Sequence, residues 1–293
     1  MPLSKVIHRN YPCMNSVLDV VFTGIDTDFA EELFTTIWQL AARYERIMSC
    51  HDPQAEVYQL NEKDPNHYAP VSPELFEILK ECLHFHQLTN GYFDIGLMKF
   101  KENPDLIPNA GNKFGVKTMQ LNNEEQLVKL GSTLTAIDLG GIGKGILLRE
   151  IDKVLTGSPV KNCFISFGGS SILTRGSHPH GSGWPVSLRN DHNPDYTFYL
   201  TNNAASISES HPAAMETSHV IHPRMDIGKR LSFVLAGDAA LAEALSTALI
   251  ISPVDEMDSI VKDSKIETAL VVDHTQNEDT KIIYRYNFSH HPK

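Results

Sequence analysis

The amino-acid sequence predicts an α+β protein, built mainly from antiparallel sheets with packed helices and forming one globular unit over residues 1–293. Three observations support this class. Many short apolar runs are separated by turns of hairpin length, helical patterns fall between groups of these runs, and no low-complexity linker or strong internal repeat divides the chain. Groups of strands with helices between them are typical of α+β proteins.

Composition excludes several classes of function. The net charge of −11 and the pI of about 5.7 argue against nucleic acid as a partner. No apolar run reaches the length of a transmembrane helix, and residues 1–12 lack the apolar stretch of a secretory signal. The cysteines are far apart and form no C-x-x-C motif, which indicates reduced thiols: Cys13, Cys50, Cys82 and Cys163. We therefore expect a cytoplasmic protein, or a periplasmic one whose export signal has been removed.

The first elements are a strand and an amphipathic helix. Residues 17–22 form a β-branched, apolar run that predicts a strand. Asp28 and Glu31 have the spacing of a capping box, which predicts a helix start at this point. The apolar face of that helix follows at helical spacing: Leu33, Ile37, Leu40, Tyr44, Ile47 and Met48.

A second helix is marked at both ends. Ser72 is a typical N-cap, Pro73 suits the first turn, and Gly91 is expected to end the helix. The following residues 99–117 are polar and contain two prolines, which predicts an irregular insertion or a lid.

The pattern of the C-terminal half predicts several strands and two helices. One helix is predicted from Asp238 to Ile251 and another over residues 254–261. Strands are predicted at 162–167, 184–189, 197–200, 204–208, 231–236, 269–272 and 282–286. Between the first two of these strands, residues 177–183 contain histidines that could bind a metal, although a solvated hairpin loop is the simpler interpretation.

The most informative stretch is AIDLGGIGKGILLR at 136–149. An apolar run at 134–139 leads into four glycines within residues 140–145, and a helical pattern follows. A strand, a glycine turn and a helix direct free backbone N–H groups toward a phosphate, and Lys144 adds a positive charge. The stretch is not a Walker loop, because Gly145 follows the lysine, and it lacks the dinucleotide G-x-G-x-x-G spacing. Taken alone, it could equally be a tight turn without a ligand.

Two further places carry candidate chemistry. Glu243 and Thr247 lie four residues apart on the Ala/Leu-rich helix, so both oxygens project from one face and suit a hard cation. An exposed Glu and a backbone-bonded Thr are the plainer interpretation of that pair. His219 precedes a strand-like pair and could act as a general base, hold a phosphate or be structural.

Together these segments resemble, in order and along nearly the whole chain, the FAD:protein FMN transferase family. The matching segments are MNS at 14–16, MSCH at 48–51 with AE at 55–56, VSPEL at 71–75, GYFD at 91–94, DLGGIGKG at 138–145, GG at 168–169, SIS at 206–208, HVI at 219–221 and the helix at 242–249. The family has Ala where this chain has Gly143.

The resemblance implies a fold, a ligand and a reaction. The implied fold is tandem T-fold-like, with residues 1–293 as one flavin-transferase-like domain. The residues implied to contact FAD are Met14, His51, Tyr92, Phe93, Asp94, Asp138, Lys144 and Ile221. Those implied to hold Mg²⁺ are Gly141, through its carbonyl, Glu243 and Thr247. A Thr or Ser hydroxyl of an acceptor flavoprotein would attack the FMN-side phosphorus of FAD and release AMP, with His219 and Lys144 as catalytic residues.

Departures from the family pattern cluster at the implied ligand site. Glu243 replaces an Asp and is one methylene longer, about 1.5 Å. His51 replaces a Tyr or Phe, and HPRMD at 222–226 replaces Asp-Pro-x-Thr-Gly. Two alternatives therefore stand beside the transferase: an FAD-binding homologue without catalysis, and a pyrophosphatase that splits FAD into FMN and AMP with water.

Overall fold

The computed structural model describes residues 5–109, 113–190, 193–210, 228–274 and 280–288. Within them it contains seven α-helices: α1 (Thr27–Met48), α2 (Glu56–Asn61), α3 (Pro73–Leu88), α4 (Met98–Glu102), α5 (Gly143–Thr156), α6 (Ala239–Ile251) and α7 (Val254–Val261). Short 3₁₀ turns occur at Pro104–Asn109 and Val116–Thr118. No helix in the described ranges has the length and apolar character needed to cross a membrane.

The strands form one large sheet and two small ones. In chain order they are β1 (Val6–Cys13), β2 (Ser16–Thr23), β3 (Ala69–Pro70), β4 (Gln120–Asn122), β5 (Leu127–Lys129), β6 (Asn162–Phe167), β7 (Ser171–Arg175), β8 (Trp184–Asn190), β9 (Asn193–Leu200), β10 (Ala204–Ser210), β11 (Arg230–Ala236), β12 (Ile266–His274) and β13 (Thr280–Tyr286). The large sheet has the order β1-β2-β6-β7-β10-β11-β12-β13, and every strand pair in it is antiparallel. The predicted α+β class with mainly antiparallel sheets is therefore confirmed.

Strand β1 was not predicted, for a physical reason. It lies at the edge of the large sheet, and only Ile7 and Cys13 among its residues are buried. An edge strand can be polar and can carry a proline, here Pro12, so the alternation that identifies a buried strand is missing. Its hairpin to β2 turns through Met14 and Asn15, which both have positive φ (48° and 53°), as a two-residue hairpin turn requires.

The ends of the long helices confirm one prediction and correct another. Ser72 caps α3 by accepting the backbone N–H of Leu75 at 3.2 Å, and Gly91 lies just past its end with φ +85°. The capping box at Asp28 is wrong, because Asp26 is the N-cap of α1 and accepts the Asp28 N–H at 2.8 Å.

The predicted strand at 134–139 is also wrong, although its burial is right. Ile137 and Leu139 are buried, but the segment makes only an isolated bridge, between Ala136 and Leu97. The side chain of Asn61 takes the place of a neighbouring strand, since its amide donates to the Ile137 carbonyl at 2.8 Å and accepts the Ile137 N–H at 2.7 Å.

Helices α5 and α6 pack closely beside the large sheet. Asp238 caps α6 as predicted, accepting the Leu241 N–H at 2.8 Å. A Cβ on Gly145 would lie 2.5 Å from the carbonyl oxygen of Ala239, so only glycine permits the approach of α5 to α6 at this point. This contact brings the glycine turn at 138–145 to the face of α6 that carries Glu243 and Thr247.

Candidate functional site

The start of α5 gathers charged and hydroxyl side chains from three elements. The Lys144 ammonium donates to the Ser170 hydroxyl at 2.7 Å and lies 3.9 Å from Glu243 Oε1. Ser170 belongs to the turn between β6 and β7, which begins with two glycines of positive φ at 168–169. Ser170 is a partner of Lys144 that the sequence did not indicate, and the phosphate-binding role of Lys144 stays a prediction.

Glu243 is a buried carboxylate with protein partners on both oxygens. Its Oε2 accepts the Gly145 backbone N–H, and its Oε1 accepts the Ser171 hydroxyl at 3.3 Å. Burial raises the pKa of Glu243, although Lys144, the Gly145 amide and Ser171 all favour the charged form. The side chain thus balances Lys144 and satisfies an N-terminal amide of α5.

The three residues implied to hold Mg²⁺ lie in one region, and two of them touch. Thr247 Oγ1 donates to the Gly141 carbonyl at 3.5 Å, one helical turn beyond Glu243 on α6. Carbonyl, hydroxyl and carboxylate oxygens are the donors a hard divalent ion prefers, so this set fits Mg²⁺ by donor type. No group of three or more His, Cys, Asp or Glu side chains suited to a metal occurs in the described part of the chain.

Asp138 opens the glycine turn and is held on both carboxylate oxygens. Oδ1 accepts the Gly140 N–H at 2.7 Å, and Oδ2 accepts the Lys101 ammonium at 2.6 Å. Burial alone would raise the pKa of Asp138, but Lys101 and the Gly140 amide outweigh burial and lower it. His51 is exposed and lies close enough to Asp138 to favour its charged form, while the thiol of Cys50 lies 3.8 Å from Oδ1.

Met14 lies near the first residue of α5. Its backbone N–H donates to Glu45 Oε1 at 2.8 Å, which fixes the β1–β2 turn to α1. A Cβ on Gly143 would lie 4.0 Å from the Met14 sulfur, so the first residue of α5 faces Met14. Met14 thus lies beside the start of α5, and its contact with FAD stays a prediction.

In the GYFD segment, residues 91–94, Phe93 and Asp94 are packed against other residues of the protein. The Phe93 side chain is 2% exposed and packs edge-on against Phe85. Asp94 Oδ1 accepts the N–H groups of Gly96 and Val116 at 2.7 and 2.8 Å, and burial raises the pKa of Asp94. Tyr92 is partly buried and hydrogen-bonds Glu256 at the start of α7, a contact that, with burial, raises its pKa. In this conformation Tyr92 is the member of the segment with a ring at the surface.

Two predicted residues cannot be placed. His219 and Ile221 lie outside the described residues, as does the segment at 222–226.

The histidine-containing residues 177–183 link β7 to β8, which do not pair with each other, so this connection is not a hairpin. The His178 ring packs edge-on against Trp184, and its Nδ1 accepts the His180 N–H at 3.2 Å.

The chain is similar to known proteins in sequence and in fold. The sequence model of the ApbE family matches residues 14–271. The FAD:protein FMN transferase of Chlamydia trachomatis is 28% identical over 148 residues, 46% of each chain. That of Chlamydia muridarum is 24% identical over 161 residues, 51% of this chain and 50% of the relative. The matches thus span about half the length of these curated relatives.

A solved structure, the flavin transferase ApbE from Vibrio cholerae, shares the fold. Its TM-score is 0.83 with 17% identity, and the alignment covers 96% of this chain and 97% of that one. At this identity the likeness concerns the fold alone.

Proposed function

The chain belongs to the ApbE family, and on that premise we propose that it transfers the FMN moiety of FAD to a Thr or Ser hydroxyl of an acceptor flavoprotein, releasing AMP. The observation that carries this proposal is Lys144 in the first turn of α5, next to the glycine turn and hydrogen-bonded to Ser170 at 2.7 Å. A lysine at a helix N-terminus favours a bound phosphate, because both the ammonium and the helix dipole attract negative charge. We further propose that residues 1–293 act as one domain.

Lys144, Asp138 and His219 each have a separate proposed role in the reaction. Lys144 neutralises charge on the phosphate oxygens and stabilises the charge that develops as the bond to AMP breaks. Asp138 keeps the glycine turn in shape through the Gly140 N–H, to which it is bound at 2.7 Å. His219 is proposed as the base that accepts the proton of the acceptor hydroxyl.

We also propose that the reaction depends on Mg²⁺, held in part by residues of α6. Gly141, Glu243 and Thr247 would hold the ion, which when bound neutralises phosphate oxygens. The test is a Mg²⁺ titration without FAD, followed by thermal shift, of the wild type, Glu243→Gln and Thr247→Ala. We expect a reduced Mg²⁺ response in both variants. An unaltered response in both would remove these residues from the metal site.

A second candidate is a non-catalytic FAD-binding homologue, and one observation favours it. Both oxygens of Glu243 already have protein partners, in Gly145 and Ser171. A carboxylate satisfied in this way stabilises the packing of α5 on α6 and needs no ion. The pyrophosphatase alternative has no such observation in its favour.

One experiment separates the candidates. Purified protein is incubated with FAD and Mg²⁺, with and without a panel of Thr-containing acceptor proteins, and the products are analysed by mass spectrometry and chromatography. Covalent FMN on an acceptor with release of AMP supports the transferase. Bound but unchanged FAD throughout supports the non-catalytic homologue, and free FMN with AMP in the absence of acceptor supports the pyrophosphatase.

A further inference from the structure

Lys101 stands out because it reaches the glycine turn from a segment with no assigned role. Its ammonium lies 2.6 Å from Asp138 Oδ2, although 37 residues separate the two in the chain. The Lys101 side chain is 31% exposed and that of Asp138 is 18% exposed, so the pair is only partly solvated. A partly desolvated ion pair is screened less by water and salt than a surface pair.

The segment that carries Lys101 is anchored by the two residues that precede it, Lys99 and Phe100. Phe100 is fully buried and packs edge-on against Phe114, with ring centroids 4.7 Å apart. The Lys99 ammonium donates to the Thr133 carbonyl at 2.6 Å, on the other side of Phe100 from Lys101. The position of the Lys101 side chain therefore follows from packing of the segment, not from chance contact of a loose surface chain.

The backbone of the segment is tied to the approach to Asp138. The Met98 N–H donates to the Ala136 carbonyl at 3.2 Å, and the Asp138 N–H donates to the Ile95 carbonyl at 2.8 Å. The Lys101 ammonium then binds the Asp138 carboxylate itself. The other carboxylate oxygen accepts the Gly140 N–H, so Asp138 connects Lys101 to the first glycine of the turn.

We propose that Lys101 is a positioning residue for the nucleotide site: it fixes the Asp138 carboxylate and, through Asp138 and Gly140, sets the shape of the turn that presents Lys144. The proposal rests on the proposed function, since it concerns binding of FAD at this turn. Without the lysine, Asp138 keeps its burial and loses its closest positive charge, so both its orientation and its ionisation are weakened. The other titratable groups facing Asp138 are Cys50 and His51, from the loop after α1.

The test measures FAD affinity by flavin fluorescence for the wild type, Lys101→Met, Lys101→Arg and Lys80→Met. We expect Lys101→Met to raise the Kd about tenfold, and Lys101→Arg to stay within about threefold of the wild type because it restores the charge. Lys80→Met is the control and should leave the Kd unchanged, since it removes a lysine of α3 that pairs with Glu77 at 3.3 Å and belongs to another segment. If Lys101→Met does not fold by circular dichroism, Lys101→Gln replaces it.

Two further measurements distinguish positioning from a direct ligand contact. In a double-mutant cycle, Lys101→Met should add less than about twofold to the effect of Asp138→Asn, because it acts through that carboxylate. Between pH 4 and 7 the FAD affinity of Lys101→Met should fall as the pH falls, more steeply than that of the wild type.

The outcomes that overturn the proposal are distinct from failure of the proposed function. A wild type that binds FAD, with Lys101→Met within twofold of it, refutes the role of Lys101 alone. An equal loss from Lys101→Met in the wild-type and Asp138→Asn backgrounds shows a direct contact and refutes positioning. A wild type that does not bind FAD refutes both the proposed function and the inference that rests on it.

Discussion

Replacing Gly145 by alanine tests whether the close approach of α5 and α6 organises the site. The new Cβ would lie 2.5 Å from the Ala239 carbonyl oxygen and 2.7 Å from Glu243 Oε2. Ordinary contact begins near 3.4 Å, so the two helices must separate by about 0.9 Å at this point. Because one of the opposing atoms belongs to the backbone, no side-chain rotation can relieve the overlap.

The expected loss of stability follows from three contributions. Overpacking of a well-packed contact costs about 1–3 kcal/mol. Stretching the hydrogen bond from the Gly145 N–H to the Glu243 carboxylate costs up to about 1.5–3 kcal/mol, and the better helix propensity of alanine returns at most about 1 kcal/mol. We therefore expect a decrease of about 3 kcal/mol in the free energy of unfolding, or roughly 6 °C in Tm for a chain of this size.

Gly143→Ala provides the matched control, two residues earlier in the same helix. There the nearest atom to a new Cβ is the flexible end of Met48, at 3.6 Å, which is ordinary contact. The family resemblance also places alanine at this position. Urea unfolding and thermal melting of both variants are the assay, and Gly143→Ala should lie within about 1 kcal/mol of the wild type. Equal stability of the two variants would refute the inference that the α5–α6 contact requires glycine at 145.

Three other predictions follow from the contacts of the site and its support. Lys144→Ala should weaken FAD binding at least about tenfold in fluorescence titration, and an unchanged Kd in a folded variant would contradict its phosphate role. Because the fold lowers the pKa of Asp138, the stability that its charge provides is present above the ordinary value of about 3.9 and is lost as the pH falls through the lower folded value. The difference in unfolding free energy between the wild type and Asp138→Asn should therefore shrink below about pH 4, and a difference that stays constant down to pH 2 would contradict the shift. Arg149→Met removes a largely buried guanidinium that holds Glu81 at 2.5 and 2.6 Å and should cost about 2 kcal/mol in urea unfolding, whereas exposed Lys153→Met should cost less than about 0.5 kcal/mol.

Two of three local helix-start signals, at Ser72 and Asp238, were right, whereas the capping box at Asp28 missed the true N-cap, Asp26, by two residues. The N-caps Ser72 and Asp238 mark helix starts by a hydrogen bond between residues three apart, which a single sequence contains in full. The strand at 134–139 failed because Asn61, a distant residue, satisfies the backbone that a neighbouring strand would otherwise pair with. The apolar pattern indicated burial correctly, but the identity of the hydrogen-bond partner depends on tertiary structure.

The same limit applies to the candidate site. Lys144 could be found because glycine spacing is a local property of the turn, and Glu243 with Thr247 because helical spacing puts them on one face. Lys101 and Ser170 carry no local signal, since one lies in a polar insertion and the other is one serine among many. Their relevance comes from long-range contacts of 37 and 26 residues in sequence, to Asp138 and to Lys144.

The extra methylene of Glu243 can now be interpreted in terms of contacts. The longer side chain brings its carboxylate to the Gly145 N–H and within 3.9 Å of Lys144, while Thr247 alone contacts the Gly141 carbonyl. A buried carboxylate in that position is stabilised by the ammonium and the amide, which are also the groups proposed to receive a phosphate. If the proposed function is right, a bound pyrophosphate would compete with Glu243 for Lys144. Glu243 thus keeps the charge that an Asp would carry here and, with a longer side chain, places it against the Gly145 N–H and Lys144.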